Sequence, residues 1–192
     1  MANLNHYNYY LVLDLEATCC DEGSIKRHKM EIIEIGAVMV EAENLTVIDE
    51  FQTFIKPISY PVLTEFCKSL TSIAQAQVDR APSYPEASDR LKQWLSNYSN
   101  GVFGSWGDYD RNQFKQDSKF HKVPFPIAYP HVNLKQLFST AQGLPKRYGM
   151  AEALQLANLP LEGTHHRGID DARNIAKLLP YILGRKQLKQ LS

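Results

Sequence analysis

Cysteine is scarce in this chain, with three in 192 residues: Cys19, Cys20 and Cys67. An odd number cannot all pair within one chain, and the adjacent Cys19 and Cys20 are poorly placed to bridge each other. A disulfide-stapled scaffold is thereby excluded, and a reducing, cytoplasmic setting is the expectation. Long apolar runs are also missing. None nears the roughly 18 residues of a membrane span, and Met1 to Tyr10 lacks the basic and apolar regions of a secretory signal, so no membrane partner is expected. Net charge is absent too, with 21 basic residues against 21 acidic ones, which excludes a strongly basic nucleic-acid coat. No repeat, low-complexity segment or linker divides the sequence. Its length suits one domain over 1–192, since domains commonly run about 100–200 residues. The core of that domain is expected at about 9–183, followed by a basic C-terminal tail, Arg185 to Lys189.

What is present is an ordinary globular balance, 44% hydrophobic and 22% charged, with a pattern that changes along the chain. Tyr9 to Glu16, Ile32 to Glu41 and Val47 to Ile55 read as strands, the third closed by Pro57 and Pro61. Short links between them predict an antiparallel meander. The period then turns helical over Leu63 to Leu70, Ser72 to Asp79 and Tyr84 to Tyr98. Val102 to Trp106 and His131 to Leu134 read as further strands. Helices are predicted over Asp110 to His121, Lys135 to Gln142, Ala151 to Asn158 and Asp171 to Leu183. The sum is an α/β fold: one mixed five-stranded sheet with helices on both faces. The Pro-rich stretch Val123 to Pro130 is read as a surface loop.

Three clusters of polar residues carry the chemistry. Asp14 and Glu16 end the first strand two residues apart, which places both carboxylates on one face. Either the strand has simply ended and both are solvated, or they need a counter-charge that a divalent cation with oxygen ligands would supply. In Gly104 to Asp110, the acid at the carboxyl end of a strand lies where open α/β sheets bind ligands. Asp110 shares a helical face with Phe114, whereas Asp108 lines up with Arg111 and Asn112 and suits an N-terminal cap. In His165 to Asp171, Asp171 stands in register with Ile175, Leu178, Leu179 and Ile182, while Asp170 aligns with Asn174 and Lys177 on the polar face. His166, five positions earlier, is either a surface histidine or an imidazole able to accept a proton near neutral pH.

Taken together, D-x-E on the first strand, an Asp after the fourth and H-x4-D opening the last helix resemble the DEDDh 3′–5′ exonucleases. The run Leu63 to Cys67 with Ser69 to Ile73 and Gln77 to Asp79 is similar to the enhanced-RNA-interference type of exoribonuclease and its short bacterial relatives. The resemblance implies an RNase H-like fold. It implies two divalent cations, Mg²⁺ or Mn²⁺, held by Asp14, Glu16, Asp110 and Asp171, with His166 as general base. It also implies a partner, single-stranded nucleic acid with a free 3′ end, RNA favoured over DNA, or a short 3′ overhang, and nucleoside 5′-monophosphates as products. By motif position, Phe66 and Tyr109 would sandwich the terminal base, while Thr71 and the backbone at Leu15, Ala17 and Thr18 would meet the terminal sugar. With those four acids set aside, the rest of the chain carries four more bases than acids, which suits a polyanion. A DNA-trimming exonuclease and an RNase H-like regulatory protein without catalysis are the alternatives. Protein partners are not legible.

Overall fold

The computed structural model describes Leu4 and residues 6–189. Its centre is strand β1, Tyr9–Ala17, a run of β-formers buried on both faces. β2 (Ile32–Glu41) pairs with it antiparallel, and β3 (Val47–Phe54) pairs antiparallel with β2. On the other side β4 (Gly101–Ser105) runs parallel to β1, and the short β5 (His131–Asn133) runs parallel to β4. The order β3-β2-β1-β4-β5 gives the mixed five-stranded sheet that the sequence predicts. The link between β1 and β2 is longer than a meander requires and carries a 3-10 turn at Arg27–Lys29.

Eight helices complete the described residues: α1 (Glu65–Thr71), α2 (Gln75–Asp79), α3 (Tyr84–Leu95), α4 (Tyr109–His121), α5 (Leu134–Ala141), α6 (Met150–Leu156), α7 (Gly168–Lys177) and α8 (Leu179–Ile182). The two-residue period of the strands sorts the helices between the faces. Leu11, Leu13 and Leu15 pack with Tyr84, Leu91 and Phe114 of α3 and α4. Tyr10 and Val12 point the other way, onto Phe138, Leu154, Ala172, Ile175 and Leu179 of α5 to α8. Asp14 and Glu16 continue that second face.

Two expectations need correction. The last helix does not run unbroken from Asp171 to Leu183. It starts earlier, at Gly168, and breaks at Leu178, because Pro180 has no N–H to donate and its ring crowds the preceding turn. The loop from Val123 to Pro130 is not merely superficial. Ile127 is buried in the α3–α4 side of the core, and the Tyr129 hydroxyl donates to the Tyr98 carbonyl at 2.6 Å.

The approach of α7 to the sheet is unusually close. A methyl group at Gly36 of β2 would lie 2.0 Å from the carbonyl carbon of Gly168 and 2.0 Å from the amide nitrogen of Ile169. One built on Gly168 would meet the Asp14 carbonyl oxygen at 3.0 Å. Both positions need glycine because backbone approaches backbone there. Gly36→Ala should therefore cost more than the about 1–3 kcal/mol of ordinary overpacking. In a domain of this size that lowers the midpoint of thermal denaturation by at least about 5 °C. An unchanged midpoint would mean that α7 does not sit where it is described.

Candidate active site

Asp14 and Glu16 stand at the carboxyl end of β1 on the face that α7 covers. Asp171, in the first turn of α7, comes down onto them. Oxygens of Asp14, Glu16 and Asp171 all lie within 4.8 Å of one another. Asp110, in the first turn of α4, arrives from the side. Its Oδ1 accepts the backbone N–H of Leu15 at 3.2 Å, which fixes it beside the residue between the two strand acids. Glu16, Asp110 and Asp171 are buried and Asp14 is half-buried. The rejected neighbours go elsewhere. Asp108 is an exposed N-cap that pairs with Arg111 at 3.2 Å and accepts from Asn133 at 2.9 Å rather than capping the helix. Asp170 accepts from the Thr164 amide at 2.9 Å and pairs with Arg173 at 3.1 Å. Its neighbour Asn174 is buried rather than on a polar face, donating to the carbonyls of Asp170 and Glu162.

Electrostatics make this a strained place for negative charge. Burial, then repulsion from Asp110, Glu16, Asp171 and Glu34, drives the Asp14 carboxyl well above the usual carboxylate range. Burial, then repulsion from Asp171, Glu34 and Asp110, pushes Glu16 up to about 8. Asp110 rises to about 6 through burial, held back by its hydrogen bonds and by the positive charge of Lys135. Asp171 is raised by burial and eased by His165. Among the described residues no lysine or arginine forms an ion pair with any of the four. Clustered oxygen ligands with raised proton affinity and no lysine or arginine partner fit hard divalent cations.

Arg167, the residue after His166, is committed to a neighbouring acid. Glu34 of β2, fully buried and paired across from Glu16, receives Arg167 Nε at 3.1 Å and Nη2 at 3.3 Å, the Gly168 amide at 3.1 Å and Gln52 Nε2 at 2.6 Å. This buried pair anchors the loop that carries His166. The backbone N–H of His166 donates to Asp171 Oδ2 at 3.0 Å, and the residue adopts a left-handed φ of 64°. Its ring stacks on His165, with centroids 4.0 Å apart and planes at 24°. His165 Nδ1 lies 3.1 Å from Asp171 Oδ2. Burial, then the charge of His165, lowers the His166 pKa from its ordinary value, which leaves the ring neutral and able to accept a proton at neutral pH.

Sequence reasoning passed over His165, Glu34 and Arg167. Glu34 did leave a signal, a single acid within the apolar run Ile32 to Val40, since a buried charge demands a partner.

The substrate-side expectations fare differently. Phe66 is 37% exposed and lines one cavity with Cys20, Thr64 and Ser69. Tyr109 lines another, with the Arg27 guanidinium carbon 5.3 Å from its ring centroid. The two rings thus open onto separate cavities. Thr71 requires correction: it is fully buried, its hydroxyl donates to the Cys67 carbonyl at 2.8 Å, and its oxygen accepts from the Ile73 amide at 3.2 Å. A terminal sugar cannot reach it. Thr18 is likewise turned inward, its Oγ1 accepting the Glu31 amide at 2.9 Å and its own amide donating to the Glu31 carbonyl at 2.8 Å. The Leu15 amide is taken by Asp110, and the Ala17 carbonyl faces the Cys67 thiol at 3.7 Å. Each of these groups already has a partner within the fold.

The family model described as Exonuclease (RNase_T) matches residues 11–179, and the chain belongs to this exonuclease family. Within it, the likeness is to DEDDh enzymes of the ERI1 kind. ERI1 exoribonuclease 3 of Mus musculus is 32% identical over 182 residues, covering 90% of this chain and 53% of the relative. The 3′-5′ exonuclease eri1 of Schizosaccharomyces pombe is 31% identical over 199 residues, covering 89% of this chain and 66% of the relative. The chain therefore spans about half to two thirds of these relatives' length. The solved nuclease domain of 3′hExo, a DEDDh family member bound to rAMP, superposes with a TM-score of 0.86 at 26% identity over 94% of each chain. A full-length 3′-exonuclease gives 0.87 at 26% identity, over 94% of this chain and 62% of the other. The fold is thus the RNase H-like fold of the DEDDh exonucleases.

A pH dependence follows from the raised carboxyls. An acid whose folded pKa exceeds its unfolded value of about 4 stabilises the fold while protonated, and that stability is lost as pH rises through the folded pKa. The buried histidines, whose values are lowered, act in the opposite sense but only below about pH 6.5. In EDTA, therefore, the denaturation midpoint should fall between pH 6.5 and 8. Millimolar Mg²⁺ or Mn²⁺ should cancel most of that fall. Glu16→Gln should raise the midpoint at pH 8 in EDTA and weaken the response to metal. A midpoint flat with pH and indifferent to divalent ions would contradict the carboxylate cluster.

Proposed function

We propose that this domain is a metal-dependent 3′–5′ exonuclease that shortens single-stranded RNA, or short 3′ overhangs, from the free 3′ end and releases nucleoside 5′-monophosphates. The observation that carries the reading is the convergence of Asp14, Glu16, Asp110 and Asp171 with no lysine or arginine paired to any of them among the described residues, beside a neutral His166. When bound, two divalent cations such as Mg²⁺ or Mn²⁺ supply the positive charge that activates water and stabilises a leaving 3′ oxygen.

The chain's own residues do the rest. Asp14, Glu16, Asp110 and Asp171 would hold the cations, and the rigid sheet end and helix starts fix their positions. His166 receives a proton from the attacking water on a ring nitrogen. Its loop is held from above by Asp171 Oδ2 and from below by the Glu34–Arg167 pair. Phe66 and Tyr109 offer aromatic surface on which a base can stack regardless of its identity. RNA over DNA rests on the likeness to enzymes named exoribonucleases. A cytoplasmic site of action rests on the three free thiols.

The test is degradation of matched 5′-labelled RNA and DNA single strands with Mg²⁺, Mn²⁺ or EDTA. The expected result is a metal-dependent ladder receding from the 3′ end, faster on RNA. His166→Ala should lose roughly 10²–10⁴-fold, and Asp171→Asn essentially all activity, whereas Asp170→Asn and Asp108→Asn should keep most of it. Faster cleavage of DNA would reassign the substrate. Comparable losses in the Asp170 and Asp171 variants would undo the ligand assignment, and a folded protein inert with both metals would overturn the nuclease reading.

A further inference from the structure

A second cationic feature lies beside the carboxylates and has no role in the chemistry above. Arg27, Lys135 and Arg147 converge on one open cavity of about 510 Å³, together with Trp106, Tyr109 and Asn112. These three cations come from unrelated parts of the chain: the 3-10 turn after β1, the first turn of α5 and the loop before α6. None forms an ion pair with a carboxylate among the described residues. The one acid that lines the cavity, Asp108, is already paired with Arg111 and hydrogen-bonded to Asn133.

The aromatic residues are held in place. Trp106 Nε1 donates to the Tyr148 carbonyl at 3.1 Å, and its ring packs on Phe138 with centroids 5.8 Å apart. Tyr109 carries the Arg27 guanidinium over its ring and is the residue directly before Asp110. Lys135 stands close enough to Asp110 for its charge to be felt there. The path from the carboxylates therefore leads past Tyr109 and Lys135 to the exposed loop of Arg147, where Lys146 lies over the ring of Tyr148 at 4.8 Å.

The geometry points to this cavity as a groove for the sugar–phosphate backbone of the nucleotides immediately 5′ of the one removed, a site for single-stranded polyanion that begins at Tyr109, the aromatic surface offered to a base, and extends away from the carboxylates. Unpaired cations interleaved with aromatic faces, open along their length, suit a flexible strand whose phosphates seek charge and whose bases stack. Phosphate contact and stacking are both tolerant of base identity, so little sequence preference is expected there. The inference rests on the exonuclease reading and makes the enzyme favour substrates long enough to fill the groove.

The experiment uses the full chain with Asp171→Asn as a non-cleaving background in Mg²⁺, and a 5′-fluorescein oligoadenylate of ten ribonucleotides as probe. Binding is followed by anisotropy against salt concentration. Arg27→Ala/Lys135→Ala/Arg147→Ala should weaken binding at least about tenfold and flatten the slope of log affinity against log salt by about 2. That corresponds to about 0.7 per neutralised phosphate on a single strand. In the cleaving enzyme, the ratio of kcat/KM for the ten-nucleotide substrate to that for a dinucleotide should fall by a similar factor. Arg147→Ala alone, on an exposed loop, should flatten the slope by about 0.7 and guards against misfolding of the triple variant.

An unchanged slope and ratio, in an enzyme that still degrades the oligonucleotide, would overturn the groove and leave the nuclease reading standing. Salt-sensitive binding lost in the triple variant, with no cleavage by the unmodified chain, would keep the groove and overturn the nuclease reading. Failure of the unmodified chain to bind the strand at all would overturn both.

Discussion

Everything in this molecule's candidate site depends on how closely the start of α7 lies on the sheet. Two glycines, Gly36 on β2 and Gly168 on the helix, remove the side chains that would hold the layers apart. The helix can then lower Asp171 into the space above Asp14 and Glu16. An extra methyl at Gly36 would separate the third carboxylate from the first two, and the cluster would lose its common centre. The buried Glu34–Arg167 pair works in the same place. It satisfies an acid that the strand cannot solvate and, through the Gly168 amide, binds the first residue of the helix to the sheet.

The cost of this arrangement falls on stability. Desolvated carboxylates that repel one another, and a histidine with positive φ, are features that a fold selected only for stability would shed. Here they are surrounded by tightly satisfied structure. Glu31 receives the amides of Ile58, Ser59 and Tyr60. Asp117 accepts from Ile32 and Gln113, and Gln113 and Gln116 both donate to the Met30 carbonyl. The loops around the acid cluster are thus held by hydrogen bonds that do not involve it. Asp117 is itself pushed up to about 7 by burial, so desolvated negative charge extends beyond the four acids, there eased by the hydrogen bonds it accepts from Ile32 and Gln113.

How much of this was legible in the sequence depended on range. Where the information is periodic, it could be read: the two-residue alternation put Asp14 and Glu16 on one face, and the helical repeat separated Asp110 from Asp108 and Asp171 from Asp170. The sheet and most helices follow from the same periods, whereas at Pro180 the apolar stripe runs on through a residue that breaks the helix. What could not be read depended on partners far away in the chain. Glu34 and Arg167 meet across more than a hundred residues. Thr71 and the Thr18 backbone looked available because the partners that occupy the Thr71 hydroxyl and the Thr18 amide are invisible in one dimension. Phe66 and Tyr109 were placed by motif position alone, which carries no information about the cavities they face. His165 was hidden by its neighbour, since a stacked pair of imidazoles reads as one histidine too many.

The ends of the described chain lie together, and away from the acids. Arg185 donates to the carbonyls of Ala42 and Glu43, and the Ala42 amide reaches back to Asn8, the residue before β1. Asp14 and Glu16 sit five and seven residues further along that strand from Tyr9, roughly 17–23 Å away at about 3.3 Å per residue. The sheet acts as a spacer between a face that works and an edge where polypeptide enters and leaves. Such a scaffold is modular: additional segments can be appended at either terminus, or the termini joined and reopened elsewhere, without steric conflict at the carboxylates. Evolution or an engineer could therefore change what accompanies the domain independently of what the domain does.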